Sequence, residues 1–163
     1  MSTPHFADNP NPPLTQYLLL HFLANVSQWA ELQDALAETG LGRPHTRVLF
    51  VLYSAPGITV NELLSAMHES HQNLTTPIKK IIAEGYALTE ADPMDRRRKL
   101  MYLTPKGKRL VMRILKLHDK RLGAVIARID PRDFDTFLRV HALLVDRNDE
   151  PWFEKLTGIA TGK

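Results

Sequence analysis

The sequence has 163 residues, enough for one domain with a sizeable core and too few for two large ones. Hydrophobic residues make up 44% and charged residues 24%, a balance expected of a soluble globular protein. The absence of cysteine excludes disulfides, thiolate metal sites and thiol redox sensing by this chain, and the net charge of +3 is too small to define a partner by itself.

Residues 1–13, MSTPHFADNPNPP, are rich in proline and asparagine and aperiodic, which reads as a flexible arm. A helix is expected from Leu14 to Glu38. Leu18, Leu19, Phe22, Leu23, Val26, Trp29, Ala30, Leu32 and Leu36 cover more than one of its faces, so it calls for a deep core or a partner chain. The apolar run Tyr17–Leu20 is broken by His21 and is too short for a membrane span, and the start lacks a secretory pattern. A cytoplasmic location with no membrane contact is the expectation. Thr39-Gly40-Leu41-Gly42 stops the helix with a glycine cap.

The next helix starts near Pro44, carries Val48, Leu49, Val51 and Leu52, and ends at Pro56-Gly57. Thr59-Val60-Asn61-Glu62 has the T-x-x-E form of a capping box and opens a short helix with Leu63, Leu64 and Met67. After His68-Glu69, Ser70 can cap another helix running to Glu84, its apolar side formed by Leu74, Ile78, Ile81 and Ile82. Pro77 falls inside that pattern. Either the helix kinks there, or it starts later with Pro77 in its first turn, which moves the exposed set toward Lys79 and Lys80. Gly85 closes it. Tyr86–Glu90 reads as a strand, Asp92-Pro93-Met94-Asp95 as a turn, and Lys99–Leu103 as the returning strand. Thr104-Pro105 starts a long helix to Ile129, and Asp130-Pro131 starts another carrying Phe134, Phe137, Leu138, His141, Leu144 and Val145. His141, on that apolar face, is read as a core histidine, and Trp29 and Tyr53 as core aromatics. The tail with Trp152, Phe153 and Leu156 can add one docked turn.

The positive charge is concentrated. Residues 79–121 hold 13 basic and 5 acidic residues, while residues 1–78 hold 2 basic and 6 acidic. Such a block is the footprint of a polyanion partner or a solvated face. The element order decides between them. A short helix, a tight turn and a second helix make a helix-turn-helix, and the basic hairpin after it makes a wing. The second helix would point a capped N-terminus at phosphates, with Ser70 and His71 in its first turn and Gln72, Asn73, Thr75 and Thr76 offering polar groups to base edges. The wing arginines suit a minor groove and its flanking phosphates.

The residues 44–110 resemble the MarR family of bacterial transcriptional regulators. Asp92-Pro93-Met94-Asp95-Arg96-Arg97, followed by Leu103-Thr104-Pro105-Lys106-Gly107-Lys108-Arg109-Leu110, is similar to the family's D-x-D-R-R … L-T-x-x-G-x-x-L pattern. Pro56-Gly57-Ile58-Thr59-Val60-Asn61-Glu62-Leu63 resembles its entry into the helix-turn-helix, and Gly85 the glycine ending its recognition helix. The resemblance implies a mostly α-helical winged helix-turn-helix with a small β-wing. The implied organisation is a dimerisation helix over 14–40, a DNA-binding domain over 41–104, dimerisation helices over 105–150 and a tail over 151–163. A homodimer would then read a pseudo-palindromic double-stranded operator. Asp95 would orient Arg97 toward the minor groove, and Arg96, Arg98 and Lys99 would contact phosphates. The family also implies a small aromatic or phenolic effector between the dimerisation and DNA-binding parts, where His21, Trp29 and Tyr53 could line a pocket. A repressor released by that effector is one reading; an architectural binder of low specificity, needing no pocket, is the other.

An enzyme is not expected. The sequence has no G-x-S-x-G, no phosphate-binding glycine loop and no H-E-x-x-H. His68 and His71 have a spacing zinc can use, but they straddle the turn with nothing to complete a ligand set, so no metal or cofactor is expected.

Overall fold

The computed structural model of the protein describes residues 13–146 and 149–159. Residues 1–12 of the expected arm lie outside that range, and Pro13 already belongs to the first helix. The chain forms two compact units that divide after Gly40. The first contains α1, Pro13–Leu36, extended by a 3-10 turn over Ala37–Thr39. Leu14, Leu18, Leu19, Leu20, Phe22, Leu23 and Val26 of α1 are all exposed, the unpartnered apolar breadth that the sequence pattern implied.

The second unit is a winged helix-turn-helix followed by further helices. Its order is α2 (Arg43–Ser54), β1 (Ile58–Thr59), α3 (Val60–Met67), α4 (His71–Ala83), β2 (Ala87–Ala91), β3 (Lys99–Leu103), α5 (Pro105–Ile126), α6 (Pro131–Leu143) and α7 (Glu150–Thr157). The three strands are antiparallel in the order β1-β3-β2. β2 pairs with β3 from Ala87 opposite Leu103 to Ala91 opposite Lys99, and Ile58 of β1 faces Met101. The two-residue β1 was not expected, because two residues carry no readable alternation.

One core holds α2 to α5. Val48, Leu49 and Leu52 of α2, Ile58, Leu63, Leu74, Ile81, Met101, Val111 and Ile114 are all almost wholly buried, and α2 packs against α4, α5 and β3. Each such side chain contributes about 1.5–3 kcal/mol of burial, more than any surface ion pair described below. The helix starts follow their caps. Thr59 Oγ1 accepts from the Glu62 amide at 3.2 Å while Glu62 Oε2 accepts from the Thr59 amide at 2.8 Å, the reciprocal box read in the sequence. Ser70, Thr104 and Asp130 each accept from an amide in the first turn of α4, α5 and α6.

The motif after the wing has a steric reason. Thr104 Oγ1 donates to the Gly85 carbonyl at 2.7 Å and accepts from the Gly107 amide at 3.1 Å. The Thr104 amide bonds the Tyr86 carbonyl at 3.0 Å, and Lys106 Nζ reaches the Glu84 carbonyl at 2.6 Å. This presses the first turn of α5 onto the end of α4. A Cβ at position 107 would overlap the Tyr86 carbonyl oxygen, so only glycine fits.

Three expectations need correction. α5 ends at Ile126 rather than Ile129. His141 is half-buried rather than in the core, since α6 has no buried residue; its ring lies 4.0 Å from that of Phe137. Of the two aromatics read as core, Trp29 is half-buried on α1, and Tyr53 is exposed, with its hydroxyl 3.3 Å from Met112 Sδ, because the core side of α2 is taken by Leu49 and Leu52. Among the described residues no helix is long and apolar enough to cross a membrane.

Gly107→Ala is expected to destabilise the protein by at least about 2 kcal/mol, because the added methyl meets backbone rather than a movable side chain. Urea unfolding followed by circular dichroism measures it; a midpoint unchanged from wild type would contradict the close approach.

Candidate nucleic-acid interface

The turn between α3 and α4 is held from three sides. His68 caps α3 in the left-handed region at φ 50° and bonds Asp149, beside α7, at 2.7 Å. Glu69 accepts from Arg47 of α2 at 3.1 Å and from the Asn73 side-chain amide at 2.9 Å. The Asn73 amide, then Arg47, hold the Glu69 carboxyl below its ordinary range. The turn is thereby tied both to the helix behind it and to the first turn of α4.

α4 begins at His71 with Ser70 as its cap, so a later start is not what forms. Pro77 lies within the helix and is buried on the same side as Leu74, Ile78 and Ile81. It removes the amide that would have bonded the Asn73 carbonyl, and the packing of its ring offsets part of that loss. The opposite side of α4 presents His71, Gln72, Asn73, Thr75, Thr76 and Lys79 to solvent, and Lys80 is half-buried. Their engagement differs. Asn73 is held by Glu69, and Thr75 donates its hydroxyl to the His71 carbonyl. Among the described residues Gln72, Thr76 and Lys79 have no such internal hydrogen bond. Gly85 ends the helix at φ 71°, a conformation that turns the chain directly into β2.

In the wing, Asp92 Oδ1 accepts from the Met94 amide at 2.9 Å and Asp95 Oδ1 from the Arg97 amide at 3.0 Å. Asp95 therefore shapes the turn through the Arg97 backbone, and the expected carboxylate–guanidinium pair is not formed. Arg96, Arg97 and Lys99 are exposed, and among the described residues they make no ion pair. Arg98 differs: its guanidinium lies 3.7 Å from Glu62 and 3.7 Å from Asp92. The structure thus brings the α4 residues and the wing residues into one unit, with α2 and α3 both packed against β3. His21 and Trp29 belong to α1, while Tyr53 borders a cleft of about 250 Å³ with Leu52, Pro56, Tyr102, Leu103 and Lys108. Sequence reasoning missed Arg47, Glu69 and the second role of Glu62, because pairs 22 and 36 residues apart leave no periodic signal.

A capped recognition helix, a basic β-hairpin beside it and a three-stranded sheet define a winged helix-turn-helix, the class of fold found in transcription regulators. Residues 39–98 match the model of the MarR family. The chain is 26% identical over 117 residues to the HTH-type transcriptional regulator PetP of Rhodobacter capsulatus, an alignment covering 72% of this chain and 70% of that protein. In fold it is similar to Streptococcus pneumoniae FabT in complex with DNA, with a TM-score of 0.69 at 17% identity over 80% of this chain and 92% of that one. It is also similar to the S. aureus MepR–DNA complex, with a TM-score of 0.65 at 16% identity over 78% of this chain and 95% of that one. The resemblance to the MarR family is borne out as a likeness: residues 39–98, which include the helix-turn-helix and most of the wing, match the family's model, and the fold is that of solved winged-helix proteins of this kind.

The protonation of one histidine is tied to the start of α2. The Gly42 amide donates to His45 Nδ1 at 2.9 Å at the start of α2, a bond only the unprotonated nitrogen can accept. Burial, then the nearby Lys80 charge, lowers the His45 pKa from its ordinary 6.5. A lowered folded value means that its stabilisation is complete above pH 6.5 and is lost as pH falls through the folded value. Wild type is therefore expected to lose more stability than His45→Gln between pH 7.5 and 5, since glutamine can accept the same bond at either pH. Parallel urea titrations test this; identical pH slopes would show that His45 is not linked to folding.

Proposed function

We propose that the protein is a sequence-specific double-stranded DNA-binding regulator that acts as a homodimer. The observation that carries the reading is the juxtaposition of the exposed polar side of α4 with the unpaired wing cations Arg96, Arg97 and Lys99. Ser70 and His71 would set the helix N-terminus against a phosphate. Gln72, Thr76 and Lys79 would read bases or flank them, with Asn73 and Thr75 offering what their internal bonds leave free and Lys80 adding charge. Asp95 would fix the wing turn so that Arg97 enters the minor groove, while Arg96 and Lys99 meet phosphates.

Dimerisation is supported by apolar surface that a lone chain leaves in water. α1 exposes Leu18, Phe22 and Val26, and the helices from α5 onward expose Val125, Phe137, Leu138 and Leu143. We assign residues 14–40 and 105–150 to the dimer, 41–104 to the DNA-binding head and 151–163 to a tail. The cytoplasm follows from this function. The cleft bordered by Tyr53, Tyr102 and Lys108 suits a small aromatic or phenolic effector, whose binding would release the protein from its operator as a repressor. Of the pocket set, Tyr53 alone borders that cleft; His21 and Trp29 would have to reach it from the first unit.

Wild type should enrich a pseudo-palindromic duplex from a random-sequence pool and bind it at least about a thousandfold tighter than bulk DNA at physiological salt. A ratio near one would favour the architectural reading instead. On the selected duplex, Arg97→Ala should weaken binding by about tenfold or more with the thermal midpoint unchanged. Truncation after Asp130 should abolish the dimer in analytical ultracentrifugation, and a stable dimer of the truncated chain would remove α6 from the interface.

A further inference from the structure

Arg98 stands apart from its neighbours. All four are exposed, but among the described residues Arg96, Arg97 and Lys99 make no ion pair, whereas Arg98 sits between two carboxylates at 3.7 Å each. Both carboxylates already have a structural task. Glu62 uses Oε2 for the capping box at the start of α3 and turns Oε1 toward Arg98. Asp92 uses Oδ1 for the wing turn and turns Oδ2 toward Arg98. The backbone closes the same loop, since the Asp92 amide bonds the Arg98 carbonyl at 3.0 Å and the Arg98 amide bonds the Asp95 carbonyl at 2.9 Å.

We propose that Arg98 is a positioning residue, a brace that fixes the root of the wing to the N-terminus of α3 and so sets where Arg97 points, and that it is not a phosphate contact. Two observations carry this. Its charge is already matched by two acids, so a phosphate would have to displace them. Glu62 starts α3 and Asp92 follows β2, 30 residues apart in sequence, and this one side chain faces both carboxylates. The guanidinium fork suits this place because it can face two acceptors at once; a lysine ammonium on a flexible stem cannot fix both in the same way. Exposed pairs of this kind are individually weak, so the brace acts on the orientation of the wing rather than on global stability.

The inference rests on the DNA-binding reading for its functional consequence, but not for its structural one. In the free protein, amide exchange at Asp92 and Gly57, the amides bonded across the wing root, should speed up several-fold in both Arg98→Ala and Glu62→Gln. Glutamine preserves the capping box, so the variant removes the charge and keeps the helix start. Because Lys155 also acts on Glu62 through space, the double variant is needed, and it should exchange no faster than Arg98→Ala alone. On the duplex selected by wild type, Arg98→Ala should bind three- to tenfold more weakly at every salt concentration, with the slope of log K against log salt unchanged. Arg98→Lys should not restore the affinity.

A slope reduced by about one per DNA-binding head, restored by lysine, would make Arg98 a phosphate contact and overturn the brace. Unchanged exchange at the wing root would overturn it as well. If wild type retained no duplex at all, the DNA-binding reading would fall, and the exchange measurements would still decide the brace by themselves.

Discussion

The close approach of Gly107 to the Tyr86 carbonyl is the constraint on which the rest of the second unit depends. The recognition helix ends at Ala83, turns through Gly85, and enters the sheet at Ala87. Within those few residues the first turn of α5 is bolted on through Thr104, Lys106 and the bare face of Gly107. Lys106 also lies 4.2 Å from the centroid of the Tyr86 ring, so its cation and its stem both reinforce the joint. A side chain at position 107 would wedge α5 away from α4. The glycine and threonine of the exit motif therefore follow from the requirement that two helices start and stop at one point. The mechanical consequence is direct: a tilt of α5 at its first turn must move the end of α4 with it, because the two are bonded through Thr104 and Lys106 and packed at Gly107.

The opposite end of the recognition helix is controlled by charge instead of contact. Arg47, Glu69 and Asn73 form a chain from α2 through the turn into α4. These bonds lie at the surface, where a pair is worth about 1 kcal/mol or less, against several for a buried leucine in the α2 core. They do not hold the domain together. They choose one conformation of a turn that the core alone would leave loose, and they draw Asn73 away from free base reading. The exposed side of α4 is thus divided between side chains that maintain the helix-turn-helix and side chains left to meet a ligand.

The fold was legible in the sequence wherever local chemistry was strong. Capping signals at Thr59, Thr104 and Asp130 placed three helix starts to the residue, Ser70 gave one of the two starts that Pro77 left open for α4, and the turn acids with the flanking apolar strands placed the wing. What was not legible depends on distance in sequence. Ile58–Thr59 becomes a strand only because Met101 and Leu100 lie beside it. His141 sits on an apolar stripe and is nevertheless half-buried, because the stripe of α6 has no covering layer within the described chain. The pattern reports amphipathicity, not what covers the apolar side. Pro77 is the converse case: propensity argues against an interior proline, yet its ring completes the buried side of α4 between Leu74 and Ile78, and packing outweighs one missing hydrogen bond.

The same limit applies to the basic hairpin. Composition gives one charge run, Arg96 to Lys99; the family resemblance singles out Arg97 but groups Arg98 with Arg96 and Lys99 as phosphate contacts. Strand geometry separates them. Arg98 is the residue just before β3, at the root of the hairpin, and from there its side chain meets the start of α3. Arg96 and Arg97 sit in the turn, where Asp95 accepts from the Arg97 amide, and among the described residues neither arginine makes an ion pair. Like charges in a tight turn repel one another, modestly at an exposed site where water and salt screen them, and a nearby acid or an external anion relieves that cost. In this wing the root charge is compensated within the chain by Glu62 and Asp92, and the tip charges are not.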